Sequence, residues 1–408
     1  MRGAGSRVLQ RVIDGQLCSG CGLCASVAPD AVSMECAPPG YARPRLTGPL
    51  SPEAGRRVAA ACPGVVVEGW GGRGRGRAHP YWGPYLSVRT GHAGDPELRF
   101  RASSGGAVSA LLSHALRTGL VDRVVQIAAD PERPTCNRLA VSTSHEQVLA
   151  NAGSRYGASS PLSEIDRQLA QGGRFAFVGK PCDVSALRRL GSLDPRVERH
   201  VALAVSFFCA GIPSHSATQR ILDALGVAEA DLAAFRYRGY GWPGNATATL
   251  RDGSERQMSY SESWGDILSK EVQFRCKICP DAVGGAADIA CADAWYGDDG
   301  YPNFDEAEGR SVIIGRTETG ERLLHSAVSA GELVTEALDV EELELMQPSQ
   351  ARRKRLVMSR TAALAATLQP VPKMNGTQVA EAAAYAGITE KLRSFLGTLR
   401  RILVGRVG

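Results

Sequence analysis

Apolar runs of strand length alternate with helical patterns through the middle of the chain. The strand-like runs include YLSVRTG, VDRVVQIAA, RFAFVG and VALAVSFF, and the helical patterns include SSGGAVSALLSHALRTG, DVSALRRL and HSATQRILDAL. Residues 86–335 are therefore predicted to form an α/β domain with a largely parallel sheet. We find no internal repeat and no heptad run in the sequence.

The two ends of the chain have a different character. Residues 1–70 are rich in cysteine and in turn-forming residues, and GWGGRGRGRAHPYWGPY (69–85) is typical of a flexible linker. Residues 340–408 are predicted to be helical. The chain is thus expected to combine an N-terminal metal segment, a central α/β part and a helical C-terminal tail.

The last helix predicted in the tail, within GITEKLRSFLGTLRRILVGRVG, is amphipathic and basic. Its apolar stripe consists of Leu392, Phe395, Leu396, Leu399, Ile402 and Leu403, and its positive charge comes from Lys391, Arg393, Arg400, Arg401 and Arg406. Such a helix can bind an anionic membrane surface or a partner subunit. The alternative is that the stripe packs on the protein's own core.

Composition and charge exclude several classes of protein. The net charge of +5 is small and arginine is spread along the 408 residues, which argues against a nucleic-acid partner. We find no secretory signal and no apolar run of about 18 residues, so a cytoplasmic location is expected. Eleven cysteines in a reducing compartment favour metal ligation over disulfides.

The stretch CSGCGLCASVAPDAV (18–32) contains three cysteines in the spacing of a bacterial iron–sulfur run. Cys18, Cys21 and Cys24 are the predicted ligands, but Ala28 stands where such a run has its fourth cysteine. Cys62 is the expected fourth ligand, because it is followed by proline as in ferredoxin runs, and Cys36 is its rival. A zinc site on the same four thiols is the alternative to a [4Fe–4S] cluster.

A second set of cysteines lies in the α/β part. Cys182 and Cys209 each follow a predicted strand, so both thiols are expected at the carboxyl edge of one sheet. Cys276 and Cys279 form a C-x2-C pair followed by proline, which completes a second set of four ligands. Cys136 and Cys291 remain as expected non-ligands.

Several motifs in order resemble the beta subunit of coenzyme F420 hydrogenase/dehydrogenase. They are RASSGGAVSALLSHALRTGLVD, VGKPCD, FFCAGIPS, RYRGYGWPG and CKICPD…ADIACADAWYG. The resemblance implies a family N-terminal domain over 86–165 and a C-terminal domain over 166–335. It also implies FAD, two [4Fe–4S] clusters, and electron transfer between the clusters and a hydride-accepting substrate.

That substrate is coenzyme F420 in the type members of the family, whereas a plant branch reduces a hydroxymethyl chlorophyll, so family membership does not determine it. The implied partners are a small-molecule substrate and an external electron donor or acceptor, such as ferredoxin or a partner subunit. A ferredoxin-dependent reductase of another substrate and a non-catalytic electron-transfer subunit remain alternatives. Ala28 departs from the family pattern and implies one N-terminal cluster instead of two.

The resemblance assigns an FAD site to residues near the SSGG motif and two later stretches. They are Ser103, Ser104, Gly105, Gly106, Ser154, Arg155, Tyr156 and Lys180. The two serines are expected to cap a helix starting near Gly105, and the glycines to admit a pyrophosphate to its backbone N–H groups. Arg155 is expected to bind phosphate, Tyr156 to stack, and Lys180 to stabilise reduced flavin or an anionic substrate.

The remaining polar candidates have no assigned role in catalysis, because in flavin enzymes the cofactor carries the chemistry. Arg236, Arg238 and Trp242 occupy a Gly-rich loop that is either a substrate lid or a packed turn. The carboxylates of Asp281, Asp288 and Asp293 either contact the flavin, hold an arginine or form turns.

Overall fold

A computed structural model describes residues 4–68, 76–297 and 302–405. The strands are β1 Val32–Ala37, β2 Tyr41–Leu46, β3 Arg77–His79, β4 Gly83–Tyr85, β5 Ser87–Ala93, β6 Arg123–Ala129, β7 Asn137–Ser142, β8 Phe175–Gly179, β9 Val201–Phe207, β10 Leu232–Arg236, β11 Ala246–Leu250, β12 Glu255–Met258, β13 Ile289–Asp293, β14 Ser311–Gly315 and β15 Leu333–Ala337.

The α-helices surround these strands and extend to both ends of the chain. They are α1 Ala4–Asp14, α2 Leu23–Val27, α3 Pro52–Ala61, α4 Pro96–Arg101, α5 Ala107–Arg117, α6 His145–Ala150, α7 Ile165–Ala170, α8 Pro181–Leu190, α9 Pro195–His200, α10 His215–Leu225, α11 Phe274–Lys277, α12 Glu318–Ser329, α13 Leu343–Met346, α14 Pro348–Arg355, α15 Val357–Ala366, α16 Val379–Ala384 and α17 Ile388–Leu403.

The central sheet has eight strands in the order β15-β5-β14-β13-β9-β8-β6-β7. The pairs β6–β8, β8–β9 and β9–β13 are parallel, and the other four pairs are antiparallel. The α/β class is confirmed, but the prediction of a largely parallel sheet is wrong. The β6–β7 connection contains no crossover helix, and neither do the described residues between β13 and β14, and such direct connections produce antiparallel neighbours.

Alternating side chains place two apolar layers on the sheet. Ala176 and Val178 of β8 pack with α5 and α12 on one face, and Phe175 and Phe177 pack with α8 on the other. The parallel strands are therefore covered on both sides, so that their carboxyl ends form a sheltered edge. The candidate site lies at this edge.

The N-terminal segment combines α1, α2 and α3 with the β1–β2 hairpin. It docks on the central part through backbone contacts, since Leu162 N donates to the Cys21 carbonyl at 2.9 Å and the Ser160 hydroxyl to the Gly20 carbonyl at 2.9 Å. The cysteine-rich segment thus lies directly against the α/β part. Its ferredoxin-like fold stays a prediction.

The predicted linker is only partly within the described residues, because 69–75 lie outside them. The remainder, 76–85, is not a flexible connection. β3 and β4 pair as an antiparallel hairpin, and Trp82 between them is 1% exposed and stacks on Phe208. Burial of this indole anchors the hairpin on the central part, which corrects the prediction for this half.

The C-terminal part is helical, as predicted, and consists of α13 to α17. The stripe of α17 is divided: Ile402 packs in a core with Cys18, while Leu392, Leu396 and Leu403 are more than half exposed. Arg406 lies outside the described residues. A membrane or subunit contact of this helix stays a prediction, and among the described helices none is long and apolar enough to cross a membrane.

Candidate functional site

The structure brings together the four N-terminal cysteines predicted as ligands. Cys18, Cys21, Cys24 and Cys62 line one small cavity. α2 starts between the second and third of them, while Cys62 follows α3 in an extended conformation (φ −67°, ψ 122°) that takes it out of the helix. We call these residues the first quartet. Met34 lines the same cavity, but Cys36 does not.

The second predicted set also converges. Cys182 is the second residue of α8, which follows β8, Cys209 follows β9, Cys276 lies in α11 and Cys279 just after it. The Cys182 thiol interacts electrostatically with Cys209 and Cys279, and Cys209 with Cys276. We call these four residues the second quartet.

The sulfurs of each quartet are more widely spaced than the ligands of a single zinc ion. Among all described His, Cys, Asp and Glu residues, Cys136, His215 and Glu229 are the only three whose ligand atoms lie within 4.8 Å of one another. No three sulfurs of either quartet are that close. A tetrahedral Zn²⁺ with bonds of about 2.3 Å would hold thiolates about 3.8 Å apart. The wider spacing fits a four-iron cluster better.

Cys18 and Cys21 are buried and the other six cysteines of the quartets are half-buried, and burial affects the protonation of several of these thiols. Burial and the neighbouring Cys18 raise the pKa of Cys62 to about 12, and burial together with Cys276 raises that of Cys209 to about 12. Neutral thiols are therefore favoured before metal is bound, and loading releases protons.

Two buried side chains connect the quartets. The Gln273 amide donates to Cys276 Sγ at 3.4 Å and to the Ser19 carbonyl at 3.5 Å. The Arg275 guanidinium donates to the Pro63 carbonyl at 3.0 Å. Burial raises the pKa of Cys18 and of Cys279, and the charge of Arg275 opposes that rise in both. Gln273 and Arg275 thus form a hydrogen-bonded, positively charged layer between the two quartets.

The C-terminal helices hold the loops that bear the second quartet. Arg353 of α14 donates to the Cys209 carbonyl at 2.8 Å, Lys354 to the Pro280 carbonyl at 2.5 Å, and Arg360 of α15 to the Lys277 carbonyl at 2.6 Å. These contacts hold the loops that carry the second quartet against the C-terminal helices. The sequence of these helices did not indicate this role.

A cavity of about 300 Å³ lies above the carboxyl ends of β8, β9 and β13. The N-terminus of α5 faces it through Ala107, Val108 and Ser109. Gly106 precedes this helix in a left-handed conformation (φ +77°), and no side chain caps the helix. The first-turn N–H groups are therefore available to an anionic group in the cavity.

The serines predicted to cap α5 do not do so. Ser103 Oγ accepts from Ser154 N at 2.6 Å, and Ser104 Oγ donates to the Arg310 carbonyl at 3.1 Å. Because Gly106 occupies the N-cap position, both hydroxyls bond to other loops. Gly105 donates to Ser311 Oγ at 3.0 Å and is absent from the cavity wall, whereas Ser103, Ser104 and Gly106 line it.

Ser154, Arg155 and Tyr156 all line the cavity, but the arginine head is engaged elsewhere. Its guanidinium donates to the Asn137 amide oxygen at 2.8 Å and to the carbonyls of Phe235, Pro134 and Cys136. This geometry favours a structural role for Arg155 over the expected phosphate contact.

Lys180 is a buried cation at the end of β8. Its ammonium lies 2.8 Å from an Asp183 carboxylate oxygen and 2.9 Å from Ser159 Oγ. Burial lowers the pKa of Lys180, but Asp183, Cys182 and Cys209 together raise it by more, so the pKa is above its ordinary value and the lysine stays charged. Lys180 and Asp183 both line the cavity, and the ammonium lies there as one end of a neutral ion pair.

Aromatic rings also line the cavity, and the sequence analysis missed most of them. Tyr156 packs on Trp264 with ring centroids 4.8 Å apart, and Tyr260 packs on Trp295 at 5.5 Å. Tyr260 immediately precedes the π-helical turn Ser261–Ile267, which contains Trp264. Their i, i+4 spacing was the available signal, since it places two rings on one helical face.

The Gly-rich loop is a packed turn and not a lid. Arg238 is buried and forms two hydrogen bonds of 2.9 Å with the Asp293 carboxylate, which also accepts from Trp242 Nε1 at 2.8 Å. Burial lowers the pKa of Arg238, but Asp293, Tyr156 and Tyr260 together raise it by more, to well above its ordinary value. Arg238 and Asp293 thereby present a charged pair to the cavity, while Arg236 lies over the Tyr240 ring.

The other two aspartates are structural. Asp281 accepts from the backbone N–H groups of Val283 and Gly285, as a turn-former does. Asp288 accepts from Arg188 at 2.7 Å and from Thr317 at 2.8 Å. Cys291 is outside the second quartet and lines the cavity.

Comparisons with known proteins agree with this arrangement. The model of the coenzyme F420 hydrogenase/dehydrogenase beta subunit N-term matches residues 88–165, and that of the C terminus matches 172–341. The chain is 30% identical to the coenzyme F420 hydrogenase subunit beta of Methanococcus voltae, over 71% of this chain and 99% of that protein.

Two further comparisons extend this likeness. The coenzyme F420-dependent sulfite reductase of Methanocaldococcus jannaschii is 22% identical over 85% of this chain and 50% of its own length. A chain of the F420-reducing [NiFe] hydrogenase complex of Methanosarcina barkeri has a similar fold, with a TM-score of 0.54 at 23% identity, over 70% of this chain and 96% of that one.

Proposed function

We propose, because the chain belongs to the coenzyme F420 hydrogenase/dehydrogenase beta-subunit family, that it transfers electrons between two [4Fe–4S] clusters and coenzyme F420 through an FAD. The related proteins are subunits of hydrogenases and of other F420-dependent enzymes. We therefore also propose that it works with a redox partner, as the electron-transfer subunit of a larger complex.

The position of Cys209 carries the proposal. This residue belongs to the second quartet and also lines the cavity at the carboxyl edge of the sheet. A flavin in that cavity would lie beside the second cluster. When bound, the clusters carry single electrons and the flavin exchanges electrons in pairs as hydride.

The residues of the chain support each part of this route. The uncapped N-terminus of α5 would bind the FAD pyrophosphate, and Lys180, kept charged by Asp183, would stabilise negative charge on a reduced ring. Gln273 and Arg275 lie between the quartets and would stabilise the thiolate-bound clusters. The first quartet is the proposed port for the external donor or acceptor.

The aromatic wall supports a planar second ligand. Tyr260, Trp264 and Trp295 offer ring faces, and the Arg238–Asp293 pair offers donors and acceptors at the same wall. Coenzyme F420 is the deazaflavin acceptor of the type members of the family, and such a ring would stack here against the flavin. Hydride transfer requires this close approach of the two rings.

Metal and flavin analysis tests the proposal. Protein purified without oxygen is expected to contain about eight iron atoms, from two four-iron clusters, and one FAD per chain. The measurement is iron and acid-labile sulfide content together with the flavin released on denaturation. About four iron atoms would remove one cluster from the proposal, and stoichiometric zinc in place of iron would remove both.

A further inference from the structure

We propose that Cys136, His215 and Glu229 form a site for one divalent cation of the zinc type, separate from both quartets and from the cavity. Their three ligand atoms lie within 4.8 Å of one another, a spacing that no three sulfurs of either quartet reach. Thiolate, imidazole and carboxylate are the three ligand types that Zn²⁺ binds in proteins.

The three residues of the proposed zinc site lie in three separate elements. Cys136 lies in the loop between β6 and β7, His215 is the first residue of α10, and Glu229 begins the 3₁₀ turn Glu229–Asp231. His215 Nε2 and Glu229 Oε1 are 3.9 Å apart. The three ligands come from three elements and are all half-buried. A bound metal would link these elements and stabilise their arrangement.

The groups around the ligands already orient them. Thr135 is buried, and its hydroxyl donates to Glu229 Oε1 at 2.5 Å. The Cys136 carbonyl accepts from Arg155 at 2.9 Å, which holds the loop in place. Hydrogen-bonded carboxylates and held loops are typical surroundings of metal ligands. The side chain of Arg133, 4.0 Å from Glu229, is 61% exposed and free to move into solvent when a cation enters.

Cys36 is a candidate for a fourth ligand, because its thiol lies near that of Cys136. The turn that follows Cys36 is tied to the same helix end, because His215 N donates to the Gly40 carbonyl at 3.0 Å and Ser216 N to that of Pro39 at 3.1 Å. A cation held by Cys36 and Cys136 would link the N-terminal segment to the α/β part.

Zinc titration of the full chain, already loaded with iron, tests this site. Added Zn²⁺ is expected to bind at one equivalent per chain, measured by elemental analysis after gel filtration, with the iron content unchanged. Cys136→Ser and His215→Ala are expected to abolish this binding. Thr135→Val removes the hydroxyl that donates to Glu229 and contacts Cys136 Sγ, and it is expected to weaken zinc binding about 10- to 100-fold.

Two further variants make the result decisive. His200→Ala changes a histidine outside the proposed zinc site, and this variant is expected to bind zinc as the unaltered chain does. Cys36→Ser is expected to weaken binding without abolishing it. Zinc uptake that is unchanged in both Cys136→Ser and His215→Ala would overturn the proposal, as would a Cys36–Cys136 disulfide or the absence of zinc binding in the iron-loaded chain.

Discussion

Replacing Cys62 with alanine is expected to remove about half of the iron and to leave FAD in place. Cys62 directly follows α3 and is the fourth thiol of the first quartet, and removal of one of four thiolates destabilises a four-iron cluster. The second quartet and the cavity use other elements, so neither depends on Cys62. Iron analysis and flavin release on the same sample measure the two outcomes together.

Cys36→Ala is the matched control for that variant. Cys36 was the rival for the fourth position, but it is exposed and lies near Cys136, away from the cavity of the first quartet. The control is expected to keep all of the iron. If Cys36→Ala lost half of the iron and Cys62→Ala lost none, Cys36 and not Cys62 would be the fourth ligand.

Replacing Ser109 with aspartate is expected to weaken FAD binding at least about tenfold, or about 1.4 kcal/mol. Ser109 is the third residue of α5 and lines the cavity, so its carboxylate would face the bound pyrophosphate. An acidic residue in a first turn is favourable to the helix itself. The loss of FAD is therefore expected without a loss of helix stability.

Ser109→Ala tests whether the charge or the shape of the side chain at this position affects FAD binding. It removes the hydroxyl, adds no charge and is expected to retain FAD at the level of the unaltered chain. Flavin content and a thermal melt of both variants provide the comparison. Full FAD occupancy in Ser109→Asp would place the pyrophosphate away from α5, and an equal loss in both variants would show that shape and not charge is responsible.

The cysteine pattern predicted which thiols come together in the two quartets. Cys182 and Cys209 follow strands, and neighbouring parallel strands end at one edge, so their meeting could be predicted without knowledge of the fold. The same reasoning gave the α/β class. This reasoning did not predict the direction of β7 and β14. Each follows its neighbouring strand through a direct connection and is therefore antiparallel to it.

The cavity wall was less predictable because its contacts are long-range. Ser103 and Ser104 precede a helix, which favours a capping role, yet the left-handed Gly106 takes the cap position and frees both hydroxyls for other loops. The guanidinium of Arg155 was expected at a phosphate, but four acceptors distant in sequence surround it. Such partners are defined only by the folded chain.

The absorbance band of coenzyme F420 tests the central claim most directly. With iron-loaded, FAD-loaded protein and a chemical reductant of low potential, oxygen-free F420 is expected to lose its band, and an artificial acceptor such as a viologen dye to restore it. Cys209→Ser removes the ligand that adjoins the cavity and is expected to stop the exchange. An F420 band that stays unchanged in the presence of fully loaded protein would contradict the account.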